Sequence, residues 1–128
     1  MSYHFSKTVD LEFDQAIDRA TEELKKEGFG VLTTIDLQGA LKEKLGVDFR
    51  RYRILGACNP QFAFKAVSAE DKIGTMLPCN VVVQEHDDGR VEVSAVDPVA
   101  SMAAVRNHAL GDIAGEVRGK LARVIAAV

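Results

Sequence analysis

Two cysteines occupy similar settings, and they carry the most distinctive chemistry in this chain. Cys58 lies within residues 54–60 and Cys79 within residues 76–81, and each is followed by asparagine and has a proline nearby. Each stands where an apolar segment predicted to be a strand meets a loop. Two soft sulfur atoms at such junctions could form one site, or they could be two buried thiols that only pack.

The setting of Cys58 predicts the more reactive of the two thiols. The next residues, Asn59 and Pro60, are typical of a helix start, with asparagine at the N-cap and proline in the first turn. There the helix dipole and free backbone N–H groups would favour a thiolate or bind an anionic group. The alternative is that Cys58 packs as a small apolar side chain, and a core role is the simpler interpretation of Cys79.

The two sulfur atoms share a site only if the third predicted strand ends where the fourth begins. An antiparallel pair allows this, whereas a right-handed parallel crossover would place them at opposite ends of the sheet. Asp97 and Met102 follow the next strand, and two thiolates with a carboxylate or thioether would suit zinc or copper(I). The alternatives are that Asp97 caps a helix before Pro98 and that Met102 packs in the core.

No catalytic motif accompanies the cysteines. His4, His86 and His108 show no paired spacing, and the chain has no Ser-His-Asp pattern, phosphate loop, dinucleotide fingerprint or metalloprotease helix. A thiol enzyme with Cys58 as its nucleophile would therefore lack an evident general base. Whether the protein is an enzyme stays open.

Length, composition and charge favour one ordinary globular domain over residues 1–128. The chain has 47% hydrophobic and 27% charged residues and a net charge of −3, which is typical of globular proteins and argues against a nucleic-acid partner. One basic run, Arg50-Arg51-Tyr52-Arg53, stands out. We interpret it as a solvated face, and the alternative is a patch for an anionic ligand.

The cellular setting is expected to be cytoplasmic, with reduced thiols. The first seven residues lack the pattern of a signal peptide, and the longest apolar runs are too short to cross a membrane. Two cysteines in a chain of this size do not make a disulfide framework. We therefore expect no membrane partner.

Hydrophobic periodicity predicts the element order β-α-β-α-β-α-β-β-α. Gly28 and Gly46 fit helix stops, and Gly89 fits the turn of a hairpin. This order predicts an α+β domain with a mixed, largely antiparallel sheet of about five strands and helices mainly on one face. The predicted strands are 3–9, 31–35, 52–57, 79–86 and 90–96, and the helices contain residues 13–24, 37–45, 60–67 and 110–128.

Glycines recur at every fourth position on one face of the last helix. They are Gly111, Gly115 and Gly119. Because glycine weakens a helix interior by up to about 1 kcal/mol relative to alanine, the spacing predicts the close approach of another backbone. That backbone could belong to the sheet, to another helix or to a second subunit.

The cysteine segments, 54–60 and 73–81, together with 96–98 and Met102, resemble the signature of a bacterial and archaeal family called domain of unknown function 302. The corner at 27–31 is also similar, so the resemblance covers nearly the whole chain. It implies a compact α+β domain, often a dimer, and no established activity. The marked family positions carried over are Gly56, Cys58, Asn59, Pro60, Gly74, Leu77, Pro78, Cys79, Asp97, Pro98 and Met102.

These observations predict a binding module for a soft metal ion or a small thiol-reactive ligand. Ser101 stands where many relatives have a second methionine, which weakens a methionine-ligand hypothesis. The alternative is a structural homodimer with inert buried thiols. The third hypothesis is a thiol redox enzyme, with Cys58 as nucleophile and Cys79 as resolving partner. The candidate site residues are Cys58, Cys79, Asp97, Asn59 and Met102.

Overall fold

An antiparallel sheet lies at the centre of the protein, whose computed structural model describes residues 2–128. Over those residues the sheet has five strands, all with antiparallel neighbours, in the order β1-β5-β4-β3-β2. The predicted α+β class is confirmed. Met1, which the expected domain 1–128 includes, lies outside the described residues. The strands are β1 (His4–Val9), β2 (Gly30–Asp36), β3 (Tyr52–Cys58), β4 (Cys79–Glu85) and β5 (Val91–Val96).

Helices connect most of these strands, and the β4–β5 hairpin is the exception. A short 3-10 turn at Ile73–Met76 precedes β4. Within the described residues, no helix combines the length and the apolarity that crossing a bilayer requires. The helices are α1 (Phe13–Lys26), α2 (Leu37–Leu45), α3 (Pro60–Ala69), α4 (Pro98–Ser101) and α5 (His108–Ala127).

Two helix ends follow the local signals in the sequence. Gly28 adopts a φ of 86° after α1, a conformation that glycine tolerates best, and the Phe29 amide then donates to the Leu24 carbonyl at 2.9 Å. Asp36 caps α2, because its Oδ1 accepts a hydrogen bond from the Gly39 amide at 3.0 Å.

The core forms where α1 and α5 cover one face of the sheet. Val81, Val83 and Val93 point into it from β4 and β5, and Leu24 and Leu121 meet them from the helices. Side chains alternate between the two faces of a strand. The same strands therefore present their other side chains to the open face of the sheet.

The helical spacing of Phe62, Ala63, Ala66 and Val67 predicts that these residues form the buried side of α3, and this prediction is wrong at one position. Val67 is 45% exposed, whereas its neighbour Ala66 is buried. Successive residues on a helix point about 100° apart, and only a narrow stripe of α3 faces α5 and the 3-10 turn. The polar and apolar residues on the other side of α3 remain at the surface.

The glycine face of α5 does not pack against the rest of the chain. Among the described residues, and apart from the adjacent residues and nearby backbone of α5 itself, no atom lies within 4 Å of the position that a Cβ would take at Gly111 or Gly115. At Gly119 the nearest atom is the Arg123 guanidinium, 3.6 Å away. The predicted close approach of the sheet or of another helix of this chain is therefore wrong.

Candidate functional site

The two cysteines lie at the same edge of the sheet. Since β3 and β4 are antiparallel neighbours, β3 ends where β4 begins, and Ala57 pairs directly with Cys79. Cys58 is the next residue along β3. The antiparallel arrangement that the sequence left open is therefore the correct one. Both thiols are free; Cys58 is half-buried and Cys79 is 8% exposed.

A cavity of about 320 Å³ opens beside these thiols, and both line it. It lies between α3, α5 and the segment that leads into β4. Ligand pockets span roughly 300–1,000 Å³, so this volume suits a small molecule. Within residues 2–128, no lining side chain is charged. The apolar walls include Phe29, Phe62, Leu77, Ile113 and Val117.

The close approach of two neighbours to Gly56 shapes one edge of the cavity. A Cβ on Gly56 would overlap the Thr33 hydroxyl and would lie 2.8 Å from Pro78 Cγ. Thr33 and Pro78 both line the cavity. Glycine at this position in β3 therefore lets β2 and the residue before β4 come together around the thiols.

The edge strand β2 supplies an exposed apolar side chain at the mouth of the cavity. The β2–β3 register shifts between Val31 and Thr33, which leaves Leu32 as the bulged residue. Leu32 lines the cavity and is 69% exposed. A bulge re-aims the side chain of the extra residue, and here that side chain borders the entrance.

Burial keeps the Cys79 thiol protonated. Desolvation raises the pKa of Cys79 from 9.0 to about 11, and the adjacent Cys58 contributes a smaller increase. A charged thiolate is disfavoured where water is excluded. Cys79 therefore presents a neutral S–H group to the cavity at physiological pH.

Asn59 lines the cavity and stands at the N-cap of α3, as predicted, but its side chain does not cap the helix. Its Nδ2 instead donates to the Glu27 carbonyl at 3.3 Å. Carbonyls at the end of α1 lack helical partners, and the Glu27 carbonyl accepts its hydrogen bond from the Asn59 side chain. Asn59 thus links the end of α1 to the start of α3.

Met102 and Asp97 differ in their relation to the cavity. Met102 contributes to the lining, whereas Asp97 does not. Both carboxylate oxygens of Asp97 are engaged: Oδ1 accepts from the Val99 amide at 3.0 Å, and Oδ2 accepts from Arg118 Nε at 3.1 Å. Asp97 thus makes the helix-capping contact that the sequence offered as the alternative to a ligand role.

The described residues contain no group of three or more histidine, cysteine, aspartate and glutamate side chains arranged to hold a metal ion. The soft donors in the cavity lining are the sulfur atoms of Cys58, Cys79 and Met102. No histidine among residues 2–128 lines the cavity. A thiol enzyme at this site would therefore have no imidazole base beside Cys58.

Several lining residues were not singled out from the sequence as site residues. Phe62 on α3, and Ile113 and Val117 on α5, each lie at helical spacing from other apolar residues of their own helix. That spacing predicts core packing as readily as it predicts the wall of a pocket. Leu32 carries no sequence signal apart from its position in a strand. Which apolar residues face a cavity depends on the packing of α3 against α5, and that packing is not local information.

The fold and the cavity define a small α+β domain with two free thiols in the wall of an apolar, ligand-sized pocket. Residues 5–128 match the family described as Domain of unknown function DUF302, and the chain belongs to this family. The resemblance drawn from the cysteine segments is confirmed.

A solved relative has the same fold. The crystal structure of the uncharacterized conserved protein DUF302 from Bacillus stearothermophilus superposes with a TM-score of 0.92 and is 31% identical. The superposition covers 99% of this chain and 98% of that one. No curated protein matches this chain significantly.

Proposed function

We propose that the protein is a binding module that holds one small, largely apolar ligand in the cavity beside Cys58 and Cys79. The observation that carries this proposal is the cavity itself, with both thiols and no charged side chain in its described lining. Apolar walls with a few polar groups are typical of small-molecule sites. The thiols and the Asn59 amide would orient the ligand.

The physical state of the two thiols supports different roles within the site. The raised pKa of Cys79 makes its S–H group a weak, neutral contact at the buried end. Cys58 is half-buried and stands at the start of α3, so it is the thiol that a thiol-reactive ligand would meet. A soft metal ion such as copper(I) is the alternative occupant, because Cys58, Cys79 and Met102 would offer it three sulfur donors.

Native mass spectrometry of protein purified without oxygen or chelator tests this proposal. Ala63 lines the cavity and Phe64 is an exposed neighbour on α3, so Ala63→Phe fills the pocket while Phe64→Ala is the matched control. We expect an organic mass excess that Phe64→Ala retains and Ala63→Phe loses. Titration with the neutral dye N-phenyl-1-naphthylamine should follow the same order, with binding weakened about tenfold or more by Ala63→Phe.

The alternatives give different results. An excess equal to one metal ion, lost in both Cys58→Ser and Cys79→Ser, would identify a metal site and contradict the apolar ligand. A bare chain mass together with no saturable dye binding would contradict any binding function for the cavity.

A structural homodimer is the second candidate, and the exposed edge of β2 favours it. Leu32 and Ile35 are 69% and 48% exposed on this strand, and Gly30–Asp36 contains no proline and no charge before Asp36. In monomeric proteins, prolines or charged side chains on an edge strand usually prevent its pairing with another chain. The oligomeric state in solution is the measurement that tests this candidate.

A further inference from the structure

The arginines of the basic run separate onto two faces of the sheet. Arg50 Nε donates to Gln84 on the open face at 2.9 Å, and its guanidinium lies 4.5 Å from the Phe49 ring centroid. Arg51 and Arg53 instead converge on Phe13, at the start of α1. Their guanidinium carbons lie 5.7 and 5.9 Å from its ring centroid.

Backbone pairing positions these two arginines. The Glu85 amide donates to the Arg51 carbonyl at 3.0 Å, which extends the β3–β4 ladder to Arg51. Arg53 lies within β3, in register with Val83. Since residues two apart on a strand share a face, both side chains point to the side on which Phe13 is buried. Their convergence is therefore a consequence of the sheet.

Neither arginine has an anionic partner among the described residues. The ion pairs of residues 2–128 include neither Arg51 nor Arg53. Asp36 is the cross-strand neighbour of Arg53, yet it forms no ion pair with it, and one of its carboxylate oxygens caps α2. Two positive charges thus share one aromatic ring, and neither has a carboxylate within ion-pair distance among the described residues.

Arg53 carries a further sign of an incomplete site. Its Nε is buried and makes no hydrogen bond with any described residue. Buried polar atoms nearly always have a partner, so a buried guanidinium N–H without an acceptor is unusual. The residue as a whole is only half-buried, so a ligand can still reach it.

We propose that Arg51 and Arg53, supported by the ring of Phe13, form a binding site for a phosphate-type oxyanion. The planar guanidinium presents paired N–H donors that match a phosphate group, and an aromatic face holds the cation without competing for those donors. The site is separate from the cavity beside the cysteines, whose lining contains none of these three residues.

Isothermal titration calorimetry at constant ionic strength tests the proposal, with inorganic phosphate and glycerol 3-phosphate as separate probes. Arg51 and Arg106 are both exposed, and Arg106 is outside the proposed site. Arg51→Gln and Arg106→Gln therefore remove equal charge inside and outside it. We expect saturable binding that Arg51→Gln weakens about tenfold and Arg106→Gln leaves unchanged. The tighter probe distinguishes free phosphate from a phosphate ester.

Arg53→Lys provides a second, independent variant because it keeps the charge and loses the planar fork. Affinity reduced about tenfold would support recognition by the guanidinium. Retained affinity in Arg53→Lys, equal losses in Arg51→Gln and Arg106→Gln, or no saturable binding to wild type would each overturn the proposal. Circular dichroism of every variant identifies a loss that comes from unfolding.

Discussion

Single residues decide the chemistry at the edge of the sheet. Cys58 and Cys79 are close neighbours at one edge of the sheet. Cys79 is buried, whereas Cys58 is half-buried. Asn59 uses its amide to join two helices, and Gly56 leaves room for Thr33 and Pro78. These contacts give Gly56, Cys58, Asn59 and Cys79 different structural roles at or beside the cavity.

The raised pKa of Cys79 predicts a loss of stability at alkaline pH. Between pH 9 and about 11 the unfolded thiol loses its proton while the folded thiol keeps it, so stability is complete below pH 9 and falls as pH rises. A shift of this size corresponds to about 2–3 kcal/mol. Urea unfolding of reduced protein at pH 8 and at pH 10.5 measures the fall.

Two cysteine variants separate this effect from other alkaline titrations. Cys79→Ala should show a smaller loss of stability than wild type over the same interval. Cys58→Ser should keep most of the loss, because burial is the first cause of the raised pKa and Cys58 is the lesser one. Identical pH dependence in wild type and Cys79→Ala would contradict the assignment.

At the scale of elements, α5 is the helix whose sequence and packing agree least. One face buries Leu121 and Val124, while on another face no atom from outside the nearby backbone of α5 lies within 4 Å of a Cβ position at Gly115. Glycine in a helix interior lowers the stability of the helix, and no contact from elsewhere in the described chain compensates for this at Gly115. Either the cost is simply tolerated, or the face contacts a second copy.

Gly115→Ala tests these two explanations. In the isolated chain the alanine methyl enters open space, so we expect a gain of about 0.5–1 kcal/mol in the free energy of unfolding. Gly28→Ala is the matched control with the opposite sign, since Gly28 has a φ of 86°. Thermal unfolding followed by circular dichroism compares them, and destabilisation by Gly115→Ala would indicate that another chain covers this face.

At the scale of the whole molecule, the sheet has two different edges. The outer strand β1 carries Lys7, whose Nζ donates to the Ala126 and Val128 carbonyls at 2.9 and 3.0 Å and so ties the end of α5 to this edge. The opposite edge, β2, has exposed Leu32 and Ile35. Pairing with a second copy would therefore involve β2.

Ile35→Lys tests whether β2 forms such an interface. Ile35 is exposed and does not line the cavity, so the change addresses assembly and leaves the ligand proposal untouched. We expect wild type to sediment as a dimer and Ile35→Lys as a monomer, because an edge lysine opposes strand pairing. Val99→Lys, at another exposed apolar residue, should remain dimeric; a monomeric wild type would contradict the dimer.

Much of the fold could be predicted from local patterns. The spacing of Leu24 and its neighbours, the stop at Gly28 and the turn at Gly89 predicted elements that the structure confirms. Periodicity and turn residues act over a few positions, so they are readable in one sequence. The prediction for Val67 was wrong because the width of a buried helix face depends on its partners.

The sequence by itself determined the order of the five strands and of the four longer helices, the α+β class and the family, because these follow from local spacing and from the cysteine segments. Only the tertiary structure decided that Cys58 and Cys79 share one cavity, since the pairing of β3 with β4 joins residues that are distant in the chain. It also decided that Asn59 bonds to Glu27 and that Arg51 and Arg53 meet at Phe13. Burial and long-range pairing create these relations, and no short stretch of sequence contains them.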